Sequence, residues 1–489
     1  FNIEDQTDTT LQIIGFTITA SRGGEDNVQN SPYGMGQGAV VKIHGYSSWV
    51  NNQTQWNLSG ATFKNCIFTM FDSGDLEAES NWKDVAVDIS AGMVVFDNCE
   101  FKNLIVDYSD FSSDAFGGAI RVGNPFGATN NSSHGRVYIN KSKITNNTIK
   151  RDDDHSLHAA AVMVGVATDN FVSITNTIIA DNLVYLQNNN SFSNPDGGAI
   201  KTRGGQLQLI NSTIVNNELK TDGSYAEGSA ISASDWSDDG DSPYITMFNS
   251  IVHGNTVTTN NGSNQHNQIK IDDWSDGVEA YFSYSIIQGD DDFGGDEILH
   301  TEPSFLDTTY ALHPRSVAIG AGVAEGEDVF GNIINAPQID FAGNVRPNPA
   351  GSNPDIGAWE NSLAVSPYPD SPTGLFATED NQSVLLFWSA PDARDVVQYR
   401  IYYSDDSTSF TLVDSTTGQY STEGTVTGLT NDERYWFYVT SVDTAGYEST
   451  PSIQIVATPA YLGPVWYVDT ENGSGSGEGS IGDAFREIQ

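Results

Sequence analysis

The segments VYINKSKITNN from Val137, VSITNTIIADN from Val172, LQLINSTIVNN from Leu207 and ITMFNSIVHGN from Ile245 share one pattern. Each has apolar residues at offsets 0, 2 and 7. Three have Asn at offset 4 (Asn176, Asn211, Asn249), and all four have Asn at offset 10 (Asn147, Asn182, Asn217, Asn255). Weaker copies start at Leu11, Ala61, Val94 and Ala280, so the starts lie 50, 33, 43, 35, 35, 38 and 35 residues apart. A second motif runs between them: QGAVV ending at Val41, GGAI at Gly117–Ile120, AAAV at Ala159–Val162, GGAI at Gly197–Ile200 and GSAI at Gly228–Ile231.

Alternation over four or five residues is a strand signal. One short strand set with a single apolar face cannot bury that face alone, and stacking identical coils gives a continuous core. Asn at a fixed offset fits an internal ladder in which each amide bonds to the next coil across the strand spacing. Gly and Ala ahead of the Ile fit bends where backbone approaches backbone. The pattern predicts an all-β chain whose first part is a right-handed parallel β-helix of about eight coils, with Val137, Ile139, Ile174, Leu209 and Met247 stacked inward. A leucine-rich repeat is the rival solenoid, but its Leu-rich consensus is absent.

GGAI alternating with an apolar-x-x-Asn step (Ile144 to Asn147, Ile179 to Asn182, Ile214 to Asn217) resembles the repeats of polymorphic outer membrane proteins and related bacterial pectate-lyase-like β-helices. EPSFLD (Glu302–Asp307), SVAIGAG (Ser316–Gly322), DFAGNVR (Asp340–Arg346) and DIGAWE (Asp355–Glu360) resemble the closing segment of the secreted bacterial β-helix family called choice-of-anchor. That family usually has Ser-Pro-Ala-Ile-Asp-Ala-Gly, where this chain carries Val317 and Gly320. The resemblance covers residues 1–362 and implies a secreted β-helix, without fixing an activity.

A Pro-rich stretch, SPYPDSPTG at Ser366–Gly374, then marks a change of domain. Residues 373–459 read as seven short alternating strands, with Trp388, Tyr399, Ile401, Leu429, Tyr435 and Val439 as core positions and Tyr435 as a tyrosine corner. This stretch resembles a fibronectin type III domain. The expected order is coils over 1–300 without an N-terminal cap, a closing segment over 301–362, a linker over 363–372, the sandwich over 373–459, and over 460–489 the start of a next β-helix unit. In that last piece Trp466–Val468 would be the first strand. Ile481–Gln489 would begin a capping helix, with Ala484, Phe485 and Ile488 covering an open core.

Charge limits the partners. Lys+Arg is 21 against Asp+Glu 64, a net charge of −43, which repels nucleic acid and anionic membranes and favours solubility and bound cations. No apolar run approaches the ~18 residues a spanning helix needs, so membrane insertion is not expected. DWSDDGD at Asp235–Asp241 recurs as DWSDG at Asp273–Gly277. Trp236 and Trp274 are 38 residues apart, as are Ile231 and Ile269, which places two acidic loops on adjacent coils. Ca²⁺ takes six to eight oxygens and would neutralise them, with Asp235, Asp238, Asp239, Asp241, Asp272, Asp273 and Asp276 as candidate ligands. The other reading is a solvated acidic rim.

A β-helix polysaccharide lyase needs a base and a group that neutralises the uronate carboxylate. The scarce basic residues Arg121, Lys201 and Arg203 follow the Ala-Ile step of their coils, with Lys42 and His44 in the first such strand. They are the candidate catalytic residues, in a cluster interrupted at Met163, and the plainer reading has them bridging acidic neighbours. Cys66 and Cys99 fall at the same offset of adjacent coils, as stacked thiols or as a disulfide. Two function classes stay open. One is an extracellular or cell-surface structural or adhesive protein, in a long tandem chain or a filament of copies stacked head to tail, presenting loops to polysaccharide or cell-surface ligands. The other is a secreted lyase or hydrolase acting on acidic polysaccharide.

Overall fold

The eight repeat starts lie side by side. Leu11 pairs with Ala61, Ala61 with Val94, Val94 with Val137, Val137 with Val172, Val172 with Leu207, Leu207 with Ile245 and Ile245 with Ala280, every pair parallel. The protein is seen in a computed structural model. It describes residues 2–3, 11–20, 41–43, 46–50, 53–57, 60–70, 85–89, 91–108, 115–123, 134–152, 155–167, 169–187, 195–234, 242–264, 268–272, 277–289, 295–366, 368–391, 396–444, 446–460, 468–472 and 486. The chain forms two units, Phe1–Ser366 and Pro367–Gln489. Among the described residues there is no helix.

The first unit is a parallel β-solenoid. One coil shows its path: Ile200–Thr202 in a first sheet, Gln206–Ile210 in a second, Thr213–Val215 in a third and Glu218–Thr221 in a fourth. Stacked coils build three 8-stranded sheets from the first three positions and a 6-stranded sheet from the fourth. Val137, Ile139, Ile174, Leu209 and Met247 are fully buried in the continuous core between the sheets. The expected inward stack is therefore present.

The two Asn positions do different work. The offset-10 residues form the internal ladder: Nδ2 of Asn147 donates to Asn182 Oδ1 at 2.9 Å, Asn182 to Asn217 at 2.8 Å, and Asn217 to Asn255 at 2.8 Å. Asn255 passes the bond to Gln268 Oε1 at 2.8 Å. Each amide oxygen also accepts a backbone N–H, such as Asn182 N to Asn217 Oδ1 at 3.1 Å. Polar groups buried this deeply are stable only when so paired. The offset-4 residues instead turn the corner between second and third sheets in the left-handed region, with φ of +47° at Asn176, +44° at Asn211 and +46° at Asn249. Asn tolerates that conformation better than other residues with a Cβ. Their side chains point away from the core.

What they hold is the closing segment. Residues 295–299 pair onto the last coil, through Leu299 N to Ser285 O and Ile287 N to Leu299 O, both at 2.9 Å. From there the chain runs back along the outside of the third sheet as a strap. Outward positions of that sheet are apolar at Ile178, Ile251 and Ile286 under the strap, with Thr213 between them accepting the Ala358 N–H. Tyr310, Leu312, Ala318, Ile319, Ile356 and Ala358 bury those residues. At ~1.5–3 kcal/mol for each large aliphatic side chain removed from water, this apolar row is reason enough for the cover.

The GGAI motif also finds its cause. Gly197 has φ +67°, and a Cβ on Gly198 would stand 2.1 Å from the Ser229 carbonyl oxygen of the next coil. Cys66 and Cys99 are both free and buried, which decides between the two readings in favour of stacked thiols.

In the second unit seven strands form a three-stranded and a four-stranded antiparallel sheet over residues 373–457. Trp388, Tyr399, Ile401, Leu429, Tyr435 and Val439 all lie in the core between them. The Tyr435 hydroxyl accepts from the Thr430 N–H at 3.1 Å, the tyrosine-corner bond expected from the sequence. Trp466, Tyr467 and all of 481–489 apart from Arg486 lie outside the described residues, and so do the expected capping helix and all of the expected first strand but its last residue, Val468.

Candidate functional site

The first sheet carries a column of mid-strand residues on its outer face. Asp88, Arg121, Met163, Lys201, Ser232 and Lys270 follow one another in register through six coils. A second, shorter column folds over it: Phe116 pairs with His158, His158 bridges to Asp196, and Asp196 bridges to Glu227. The overlap buries side chains that would otherwise face water, and it turns two columns of charged residues toward each other.

The charges meet in pairs. Arg121 Nε donates to Asp88 Oδ1 at 3.1 Å and Nη2 lies 3.1 Å from Oδ2, with 7 % and 5 % of the two residues exposed. Lys201 Nζ lies 2.6 Å from Asp196 Oδ2 and donates to Ser232 Oγ at 2.9 Å. His158 Nδ1 contacts the other Asp196 oxygen. Lys270 Nζ is 2.7 Å from Glu227 Oε2. Burial alone would raise the Asp196 carboxyl. The Lys201 ammonium and the His158 ring more than offset it and hold Asp196 well below the usual carboxylate range. The Arg203 guanidinium sits 5.0 Å over the Phe116 ring, which also stacks on the His158 ring at 4.7 Å.

The candidate residues are thus partly assembled. Arg121 and Lys201 share a column with Met163 between them, and Arg203 stands beside it on Phe116. Sequence reasoning missed His158 and Asp196. The signal was present in the spacing, since Phe116, His158, Asp196 and Glu227 each stand immediately before their coil's GGAI-type step. His44 lies outside the described residues, as do Asp235, Asp238, Asp239, Asp241, Asp273 and Asp276. Asp272 ends the strand Ile269–Asp272 and pairs with Ser234, so the two acidic loops leave from neighbouring strand ends.

A second polar centre lies under the strap. Arg346 Nε donates to Glu360 Oε2 at 2.9 Å and Nη1 to Asn176 Oδ1 at 2.8 Å; Nη2 donates to the carbonyls of Gly357 and Ala358 at 3.0 and 3.2 Å. Asp355 accepts from Gly320 N at 2.7 Å and Asn361 N at 2.5 Å. Asp340 accepts from the backbone and side chain of Asn344 and from Glu360 N. The motifs DFAGNVR and DIGAWE therefore meet in one buried network that ties the strap to the corner residue Asn176. A duplicate of the first motif, Asp328-Val-Phe-Gly-Asn332, makes the same Asp–Asn turn. That repetition also went unread in the sequence.

Residues 370–458 match the family model described as a fibronectin type III domain. No curated protein matches the chain. Among solved structures it is similar to an Fn3-like protein from Clostridium thermocellum, at 27% identity over 20% of this chain and 98% of that one, with a TM-score of 0.17. A beta-1,2-glucanase from Parabacteroides distasonis is similar at 25% identity over 22% of this chain and 15% of that one, TM-score 0.19. The fn3 domain of human collagen alpha-1(XX) chain is similar at 20% identity over 20% and 92%, TM-score 0.17. The chain is thus all-β, a parallel β-solenoid and a fibronectin type III sandwich. No helix of the described residues is long and apolar enough to cross a membrane.

Proposed function

We propose that this chain is an extracellular structural or adhesive protein, in which the solenoid supplies a stiff rod and the fibronectin type III unit a spacer. The observation that carries the reading is the state of the scarce basic residues. A lyase must aim a base and a cationic group at substrate. Here Arg121 and Lys201 are buried, and each is matched to a carboxylate of its own unit, Asp88 and Asp196. Internal ladders and a covered flank support a scaffold role. So does the negative charge, which keeps such rods soluble and apart.

The finer reading, in which such units repeat along a chain or stack head to tail, rests on the resemblance of 464–489 to the start of a β-helix domain. Concentration-dependent light scattering tests the stacking, and scattering that stays monomeric removes it. The functional reading is tested by incubating the intact chain with pectate, alginate and glycosaminoglycans. No cleavage is expected, and sustained release of unsaturated uronate or new reducing ends overturns it.

A further inference from the structure

We propose that Asp340, Arg346, Asp355 and Glu360 form a proton-operated latch that fastens the strap to the solenoid at acidic pH and loosens it as pH rises toward neutrality.

The four side chains bring three carboxylates to one guanidinium, and all four residues are buried, with 0 % of Asp340, 4 % of Arg346, 0 % of Asp355 and 7 % of Glu360 exposed. Fully ionised, the cluster would bury two negative charges without a counter-ion. A buried group relieves such a cost by keeping a proton. The donors decide where that proton resides. Glu360 has the Arg346 Nε–H and the N–H groups of Asn348 and Asp355. Asp340 has three N–H donors. Asp355 has two backbone donors and no cationic one, so the ionised form is least supported there.

Burial and the Glu360 carboxylate push the Asp355 carboxyl up to about 7, and burial also raises Glu360. From the solenoid side, among the described residues, the hydrogen bonds to this part of the strap involve Asn176, Asn211, Thr213 and the Asn249 carbonyl, none of which titrates. The solenoid also sets Lys143 over the Phe341 ring and Asp181 against Tyr310, but the charges that act on Asp355 are Glu360 and Arg346 of the strap itself.

An aspartate in a detached strap loses its proton near ~3.9. Between that value and about 7, the docked strap binds a proton that the detached one does not. The docking contribution is therefore full below the lower value and is lost as pH rises through the upper one, with each unit between them worth about a factor of ten in the docking equilibrium. The titration belongs to the cluster, with Asp355 its principal proton carrier.

Hydrogen exchange on the full chain tests this. The Gly320 and Asn361 amides donate to Asp355, and the Asn182 and Asn217 amides belong to the solenoid ladder and serve as the internal reference. After correction for intrinsic rates, strap amides should open about tenfold or more often at about pH 8 than at about pH 5, while ladder amides keep their protection. Asp355→Asn, which cannot ionise, should flatten that difference to within about threefold. Equal strap protection at both pH values in the unmodified chain overturns the proposal without reference to any variant. So does a loss shared equally by the ladder amides, or a folded Asp355→Asn chain that keeps the original slope.

Discussion

Asn182 donates from Nδ2 to Asn217 Oδ1 at 2.8 Å, and both residues are buried to within 1 % of their surface. The same Asn182 oxygen takes both the backbone N–H and the side-chain N–H of Asn147. Asn182→Ala thus strips two donors of their acceptor at once. It should cost about 2 to 4 kcal/mol, because each buried polar group left unpaired costs ~1–3. Denaturant unfolding measures it, and a loss under about 0.5 kcal/mol would mean the ladder is incidental.

Asn211 couples the solenoid to its strap. Its φ of +44° and its bond to the Asp355 carbonyl at 3.0 Å are separate contributions. Asn211→Gly should keep the corner and lose the bond, whereas Asn211→Ala should lose both and cost about 1 kcal/mol more. Limited proteolysis should cut the strap faster in both variants, with Ala the faster. Equal rates for the two would remove the backbone term.

The thiols continue a hydroxyl row. Ser142, Thr177, Ser212, Ser250 and Ser285 hold the position of Cys66 and Cys99 in later coils, and Cys99 N donates to Ser142 Oγ at 3.0 Å. The Cys99 Sγ lies 3.3 Å from the Phe63 carbonyl oxygen. Cys99→Ser should therefore change stability by less than about 1.5 kcal/mol, since a hydroxyl makes the same bond. Burial pushes the Cys99 thiol up to about 12, so the native chain holds almost no thiolate at mildly alkaline pH. Mass spectrometry after alkylation should find it unmodified until the protein is denatured, and rapid native labelling would contradict the burial.

Much of this was legible because stacking enforces register. A residue buried in one coil sits on its counterpart in the next, so Val137, Val172 and Leu207 repeat what each position demands. The two Asn offsets looked alike in sequence, yet Asn182 faces the core and Asn211 faces the strap. Only the position of the strap separates them. Asp196 was not legible as a partner for Lys201, because a coil-to-coil pattern reports stacking along the axis and not contacts between two folded-over columns. The DIGAWE residues could be matched to a resemblance, but their meaning depends on Arg346, drawn in from another segment. Calcium at the Asp235–Asp241 and Asp273–Gly277 loops stays an expectation resting on the paired Ser234 and Asp272.

The central claim is that the buried basic residues hold the solenoid together. The direct measurement compares the unmodified chain with Lys201→Met, the residue already present at the same register in the neighbouring coil as Met163. Each is assayed on pectate, alginate and glycosaminoglycans and melted in parallel. Lys201→Met leaves Asp196 without its ammonium, so its melting temperature should fall by several degrees, on the order of 1 to 3 kcal/mol, while neither protein releases unsaturated uronate. A cleaving activity in the unmodified chain that disappears in Lys201→Met at an unchanged melting temperature would make Lys201 a catalytic group and contradict the account.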